Sequence, residues 1–373
     1  MSIKNRYISL DVLRGLTIAL MIMVNTPGDW NNIYAQFEHS VWHGFTITDL
    51  VFPTFLFVVG NAMSFSIKKI QDRDSTYLLK LFKRSFIIFI IGLALNAFPF
   101  FYRAESGNWE IINFWDVRFF GVLQRIAFCY LTAGLLVKYL NVRNISIIGG
   151  FLLLLYWGLM YFFGDSVDPY SLTGNASLKL DLAIFRPENL YHGFGIPFDP
   201  EGFLSTIPAI VNVLAGYLVG LYIQKTKNRS KAFYALLVMG LVALILAQVW
   251  DIWFPINKPI WTSSYVIYST GWDLVVLSML ILFIEILNFK KWIYFFIVFG
   301  RNPLFIYILS GIIIGLFDLI HINGESLQMI IYDNLFLSWL DPINASLLFA
   351  VFYMLLLWLI ALIMDRKQIY IKV

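Results

Sequence analysis

Charge is scarce in this 373-residue sequence: only 13% of the residues are Asp, Glu, Lys or Arg, whereas 60% are hydrophobic. A soluble domain has about a quarter charged residues and about half apolar ones. This composition excludes an ordinary soluble protein and predicts an all-α, polytopic integral membrane protein. The net charge of +4 does not indicate nucleic-acid binding, since the basic residues follow the predicted membrane topology.

Cysteine is nearly absent, because Cys129 is the single one and it stands inside an apolar run. The sequence therefore excludes an intramolecular disulfide and a cysteine-based metal site. The motifs G-x-x-x-x-G-K-[ST], G-x-S-x-G and G-x-G-x-x-G are missing as well. With these motifs and a cysteine cluster missing, nothing in the sequence indicates a nucleotide-driven motor or a redox centre.

Long apolar runs are what the sequence does have, and a membrane span needs about 20 such residues. We predict about ten spans in a single domain, residues 1–373. The predicted spans are Ser9–Asn25, Thr46–Ile67, Leu81–Phe98, Phe119–Tyr139, Ile145–Phe163, Leu204–Gln224, Ala232–Phe254, Ser264–Leu287, Pro303–Ile320 and Asn344–Met364. A shorter apolar piece, Trp292–Phe299, is either re-entrant or an extension of the next helix.

Lys and Arg are unevenly divided between the loops of the two predicted faces. Twenty of the 27 fall on one face and five on the other, while Arg14 and Arg125 fall within spans. Because basic loops remain in the cytoplasm, this division predicts that both termini are cytoplasmic. The polar segments around residues 26–45, 164–203 and 254–262 then lie on the outer face.

The stretch FEHSVWHGFTITDLVFPTFLFVVG holds two of the four histidines at the start of a predicted span. His39 is a candidate general base, although an interfacial histidine can also be purely structural. Asp49 could orient a histidine or bind substrate, or could simply cap the helix. Asn25 could hold an oxyanion or end the first helix. His39 and His43 would share a helical face, but HSVWH lacks the Glu of a zinc motif, so we predict no metal.

Charged residues within or beside the spans are the next candidates. Arg14 and Arg125 cost free energy in a bilayer unless they are paired or hydrated. They could bind a phosphate or carboxylate, or form ion pairs with Asp11 or Asp116. GRNP predicts a helix break that presents Arg301 to an anion. Asp199, Glu201, Lys258 and Trp261 could line a sugar site or merely stabilise turns.

Several ordered segments together resemble the heparan-α-glucosaminide N-acetyltransferase family. They are SLDVLRGLTIALMIMVNTPG, FEHSVWHGFTITDLVFPTFLFVVG, GVLQRIAFCYL, FDPEGFLSTIPAIVNVLAGYLVG, PINKPIWTSSYVIYSTG, GRNPLFIYILSG and IALIMDRKQIYIKV. The resemblance extends from Ser9 to Val373. It is that of a bacterial member, which places the protein in the inner membrane.

The resemblance implies transfer of an acetyl group from cytosolic acetyl-CoA to a glucosamine-type amine on the outer side. His39 matches the family's active-site histidine and Asn25 an active-site asparagine, whereas the role of Asp49 is our own inference. Arg14, Gln124, Arg125 and Arg301 become candidates for contacts to CoA. Asp199, Glu201, Lys258 and Trp261 become candidates for the sugar side.

Two mechanisms stay open at this point. His39 either deprotonates the amine for direct attack on the thioester, which we prefer, or is itself acetylated. The acceptor sugar is not specified by the sequence, and a homodimer is implied only by the resemblance. The rival functions are an amino-sugar or cell-wall-fragment transporter without chemistry, and a structural membrane subunit. Binding of labelled acetyl-CoA separates the first function from both rivals.

Overall fold

The computed structural model describes residues 7–67, 74–103 and 108–371, without the side chains of Ile67, Asp74 and Arg103. Several basic positions of the predicted topology lie outside the described residues: Lys4, Arg6, Lys68, Lys69, Arg73 and Lys372. The cytoplasmic placement of the termini stays a prediction.

The described residues form an all-α bundle, and the only strands among them make two short antiparallel hairpins, Phe101–Arg103 (β1) with Trp109–Ile111 (β2) and His321–Ile322 (β3) with Glu325–Ser326 (β4). The helices are Ile8–Asn25 (α1), Ile47–Ile67 (α2), Asp74–Ala97 (α3), Val122–Tyr139 (α4), Val142–Phe163 (α5), Ala176–Ile184 (α6), Thr206–Lys225 (α7), Arg229–Asp251 (α8), Ser263–Leu280 (α9), Ile293–Arg301 (α10), Pro303–Leu319 (α11), Leu327–Tyr332 (α12) and Pro342–Arg366 (α13). A π-helical segment, Ile281–Ile286, continues α9, and another, Asp333–Leu337, continues α12.

The protein is a polytopic membrane protein. Within the described ranges, seven helices are long and apolar enough to cross a bilayer, and α10 with α11 makes an eighth if that bent pair counts as one span. The predicted third and fourth spans coincide with α3 and α4, which have 24 and 18 residues. Neither helix is among the seven that are long and apolar enough to cross a bilayer. The count of ten spans stays a prediction.

Small residues allow the central helices α2 and α7 to pack closely. A Cβ atom added at Gly60 would lie 1.8 Å from the carbonyl oxygen of Val213, and one at Gly216 would lie 1.8 Å from that of Phe57. Only glycine permits backbones to come this near, as is common between membrane helices. The contact fixes α2, which carries Asp49 at its start, against the bundle.

The predicted break at GRNP is present, and it is sharp. Helices α10 and α11 meet at an angle of 84° around Asn302, so Trp292–Phe299 is not a straight extension of the next helix. Pro303 lacks an N–H and begins the new helix. The Asn302 side chain holds the C-terminal segment through Ile369 O (2.9 Å) and the Ile371 N–H (2.9 Å).

A proline inside α2 links the fold to the site. Pro53 has no N–H to donate to the carbonyl of Asp49, four residues earlier. The hydroxyl of Tyr265 in α9 donates to that carbonyl instead, at 2.6 Å. In a regular helix the Asp49 carbonyl would accept from the N–H four residues later. Because Pro53 leaves it unpaired, the carbonyl accepts from Tyr265, and the first turn of α2 is anchored to α9.

Candidate active site

The segment between α1 and α2 is irregular, and side chains from several elements hold it. Thr48 donates to the carbonyl of Phe37 and Thr46 to that of Glu38, both at 2.6 Å. The Trp42 indole donates to Tyr170 O at 2.9 Å. Because residues 39–43 are not helical, the i, i+4 spacing does not align the two histidines on one face.

His39 and Asp49 form a close polar pair at the start of α2. Their Nδ1 and Oδ1 atoms are 2.7 Å apart. The Asp49 side chain is fully buried, whereas that of His39 is about half exposed, 51%. Asp49 Oδ2 accepts from the backbone N–H groups of Ser40 (3.1 Å) and Thr46 (3.0 Å). These contacts fit two of the three roles that the sequence left open for Asp49, capping of α2 and orientation of His39. Binding of substrate by Asp49 stays a prediction.

His43 points elsewhere. Its Nδ1 lies 3.3 Å from the Asn257 amide nitrogen, and its ring packs edge-on against Trp42. Burial lowers the pKa of His43, and the negative charges of Asp168 and Asp251 oppose that shift. The two histidines therefore have different environments, and only His39 contacts a carboxylate directly.

A second group of charges surrounds Arg118. Its guanidinium binds Asp199 in a bidentate manner at 2.8 and 2.7 Å and also donates to Glu201 at 2.6 Å. It stacks over the Tyr191 ring, 4.7 Å from the centroid. Burial by itself would raise the pKa of Glu201, but the positive charges of Arg118 and Arg125 outweigh it and lower the pKa. Glu201 is therefore ionised at neutral pH.

Lys258 connects the two groups. Its Nζ lies 3.1 Å from each ring nitrogen of His39 and 3.9 Å from Asp49 Oδ1. Burial lowers the pKa of Lys258, although the negative charges of Asp49 and Glu201 favour its ammonium form. Carboxylates and cations thus alternate in the order Asp49, Lys258, Glu201, Arg118 and Asp199.

These residues face a cavity of about 270 Å³. Its apolar wall comes from α1, α2 and α4 through Met21, Val24, Val51, Phe52 and Val122. Its polar wall contains Asn25, His39, Arg118, Glu201 and Lys258, and the hydroxyls of Tyr191 and Tyr307 belong to lining residues too. Asn25 is exposed at the end of α1, and no partner is recorded for its amide within the described chain. Such a cavity suits a small ligand.

Four predicted site residues, Asp199, Trp261, Gln124 and Arg125, lie behind the wall of this cavity. Trp261 is fully buried and packs on Phe52, 5.1 Å between ring centroids, so it does not line the cavity as predicted. Gln124 and Arg125 are also buried. Arg125 donates to the Gly202 carbonyl (3.2 Å) and to the Ser205 hydroxyl, and it stacks on Trp261.

Arg14 and Arg301 lie apart from the cavity. Arg14 donates to the carbonyl of Gly300 at 3.4 Å and lies 3.6 Å from Asp11, an ion pair that the sequence had suggested. Arg14 is eleven residues before Asn25, about 16 Å along α1. Arg301 pairs with Asp365. The four predicted CoA contacts therefore fall at two separate places, Gln124 and Arg125 behind the cavity wall and Arg14 and Arg301 away from it. Asp116, which the sequence suggested as an ion-pair partner, binds Arg186 and not Arg125.

Asp181 in α6 supports the turn that presents Glu201. Its Oδ1 accepts from the Phe203 N–H at 3.0 Å, while Oδ2 is buried without a recorded partner in the described structure. A Cβ atom at Gly202 would lie 2.0 Å from Oδ2. Burial raises the pKa of Asp181 to about 7, and the nearby charge of Asp199 adds to this.

Sequence reasoning missed Arg118, Tyr191 and Tyr307. Arg118 is one of the five basic residues of the predicted outer loops. Its position directly before the span Phe119–Tyr139 is a signal that could have marked it as a partner for the acidic residues of DPEG, Asp199–Gly202. Tyr191 stands in an irregular segment and Tyr307 in an apolar helix, and no pattern marks either one.

Comparison with known proteins shows which family this chain resembles. The family model described as heparan-alpha-glucosaminide N-acetyltransferase, catalytic, matches residues 6–249. The protein named heparan-alpha-glucosaminide N-acetyltransferase from Mus musculus is 27% identical over 362 residues, covering 82% of this chain and 53% of its own length. The protein of the same name from Homo sapiens is 27% identical over 355 residues, with coverages of 80% and 52%. The chain spans about half the length of these curated relatives.

Replacing Arg118 by Leu leaves Asp199 and Glu201 buried without their cation. We expect a loss of about 3–5 kcal/mol in the free energy of unfolding, measured in detergent. The matched control is Arg186→Leu, because the Arg186–Asp116 pair has the same 2.7 Å separation but is exposed. An exposed pair contributes about 0–1 kcal/mol. Equal losses in both variants would contradict the buried network.

Asp181→Asn tests the raised pKa. A carboxyl whose pKa is higher in the folded state binds its proton more tightly there, so its contribution to stability falls as pH rises from about 4 to about 7. We expect the midpoint of thermal unfolding of the wild type to fall over this interval relative to Asp181→Asn. Parallel profiles for the two proteins would show that folding does not raise the pKa of Asp181.

Proposed function

The chain belongs to the heparan-alpha-glucosaminide N-acetyltransferase catalytic family, and we propose that it transfers an acetyl group from acetyl-CoA to the amine of a glucosamine-type sugar. The observation that carries this proposal is the His39–Asp49 pair, 2.7 Å apart, with His39 half exposed at a cavity. A transporter without chemistry has no evident use for a histidine oriented by a buried carboxylate.

His39 acts as the general base. The Asp49 carboxylate accepts a hydrogen bond from Nδ1–H, so the lone pair of the imidazole is on Nε2. Lys258 Nζ lies 3.1 Å from Nε2, and the amine takes the place of this contact when it passes its proton to His39. Asp49 also stabilises the imidazolium that results, as the carboxylate of a catalytic triad does. The bound ammonium first releases one proton to water. The neutral amine then forms a bond to the acetyl carbon while His39 takes a second proton from its nitrogen, the carbon–sulfur bond breaks, and His39 passes that proton to the departing thiolate.

Asn25 and Lys258 stabilise the oxyanion that develops on the acetyl oxygen. Both line the cavity, Asn25 as an amide donor from the end of α1 and Lys258 as a cation beside His39. Donors fixed before the reaction are effective because they need no reorganisation when charge develops. Acetyl-CoA supplies an activated thioester and the amine is a good nucleophile once neutral, so we favour direct transfer over an acetyl-histidine.

The cavity walls match the two substrates. The apolar wall from α1 and α2 suits the acetyl group and the arm that carries the thioester. Glu201 places a carboxylate in the polar wall, which favours binding of an amino sugar in its ammonium form. The volume of about 270 Å³ has room for a single sugar ring with the acetyl group.

We place the protein in a bacterial inner membrane with both termini cytoplasmic and the cavity near the outer face. The support is the predicted positive-inside pattern, together with the position of the cavity where α1 ends and α2 begins. Acetyl-CoA then approaches from the cytosol and the amino sugar from outside. A homodimer stays a prediction of the family resemblance.

The experiment is transfer of labelled acetyl from acetyl-CoA to glucosamine by the purified protein in detergent. We expect His39→Ala to lower kcat by about 10²–10⁴-fold, the usual contribution of a general base. It should still bind acetyl-CoA, because His39 does not hold the CoA moiety. His43→Ala is the matched control and should keep nearly full activity, since His43 contacts Asn257 and not Asp49.

Each outcome of this experiment has a definite meaning. Equal loss in both histidine variants would contradict the role of His39. Failure of the wild type to bind acetyl-CoA would contradict the acetyltransferase and favour a transporter. Binding without transfer to glucosamine, followed by transfer to a larger amino sugar, would correct only the acceptor.

A further inference from the structure

A carboxyl group outside the proposed mechanism is buried within the bundle. Asp273 lies in the middle of α9, 1% exposed, and it faces a second cavity of about 70 Å³ between α1, α2 and α9. One carboxyl oxygen, Oδ2, is buried with no recorded partner in the described chain. An ionisable group at such a depth in a membrane protein is costly unless it has a function or is neutral.

The protonation state follows from the hydrogen bonds around Thr54. The Thr54 hydroxyl oxygen lies 2.7 Å from the Leu50 carbonyl oxygen and 2.6 Å from Asp273 Oδ1. A hydroxyl has one proton to donate. If Asp273 were ionised, two acceptors would compete for that single proton. If Asp273 is a carboxylic acid, its O–H donates to Thr54, which donates to Leu50, and every short contact has a proton.

The surroundings do not provide what a carboxylate would need. Apart from Asp273, Thr17 and Thr54 are the polar residues among the cavity-lining side chains that the structure describes, and Thr17 already donates to Leu13 O at 2.8 Å. A bound cation would require several oxygen ligands. No lysine or arginine lies within ion-pair distance of Asp273 in the described ranges. The titratable group with a recorded electrostatic interaction with Asp273 is Tyr265, on the same helix.

We propose that Asp273 is a permanently protonated carboxylic acid that positions the catalytic pair by tying α9 to the first turns of α2. The chain of bonds runs from Asp273 through Thr54 to Leu50, the residue after Asp49. Tyr265 of α9 makes the second tie, to Asp49 itself. Asp273 is a positioning residue, and only its effect on kinetics rests on the acetyltransferase function proposed above.

Infrared spectroscopy tests the proton directly, without any substrate. The difference spectrum of wild type minus Asp273→Asn should contain the C=O stretch of a protonated carboxylic acid at pH 6 and equally at pH 9. Asp181 provides the internal comparison, because the band lost in Asp181→Asn should fade as pH rises through about 7. Absence of an acid band for Asp273 at pH 6 would overturn the proposal.

Kinetics test the positioning role. Asp273→Asn keeps a donor for Thr54, and it should retain nearly wild-type kcat and unfolding midpoint. Asp273→Leu keeps the volume but removes the donor, and kcat should fall about tenfold, the factor of one hydrogen bond, with KM unchanged. Full activity in Asp273→Leu would overturn the positioning role. A wild type that is inactive while the infrared band is present would contradict the acetyltransferase alone and leave the protonated acid established.

Discussion

The site depends on one buried carboxylate, that of Asp49. Both of its oxygens are engaged, one with His39 and the other with the backbone N–H of Thr46, just before α2, and that of Ser40 in the preceding loop. A carboxylate removed from water is stable only when such partners replace its hydration. The same contacts therefore start a membrane helix, fold the preceding loop over it and fix the ring of His39. Helix capping and the orientation of a base are here one arrangement.

The remaining charges of the site follow from the same constraint. Lys258 and Arg118 lie between Asp49, Glu201 and Asp199, so that carboxylates and cations alternate along the cavity wall. Asp181 and Asp273 have no recorded cation in contact within the described chain, and ionisation of both is disfavoured. For Asp181 the cause is burial, which raises its pKa. For Asp273 it is the single proton of the Thr54 hydroxyl, which cannot serve both Asp273 and the Leu50 carbonyl. Apart from Asp199, the ion-paired groups of the site face the cavity, whereas the two carboxyls whose ionisation is disfavoured lie behind it.

Much of this arrangement was predictable from local sequence. Apolar runs locate the long helices and GRNP locates the sharp bend. The position of Asp49 at the start of a predicted span suggested that it could orient a histidine. Contacts between distant segments were not predictable. Arg118 meets Asp199 across 81 residues and Arg301 meets Asp365 across 64, and neither pairing follows from periodicity. Trp261 was expected at the surface of the site because an aromatic beside a lysine suits a sugar, but packing against Phe52 buries it.

The central claim is that Asp49 acts on the reaction through His39 and not by touching the substrate. The most direct test is the steady-state kinetics of Asp49→Asn, in which the side chain keeps its shape but loses the charge that holds the Nδ1 proton. The account predicts a large fall in kcat with KM for the amino sugar nearly unchanged, and an unfolded fraction no greater than in the wild type. A raised KM with kcat preserved would contradict it, because Asp49 would then be binding the sugar.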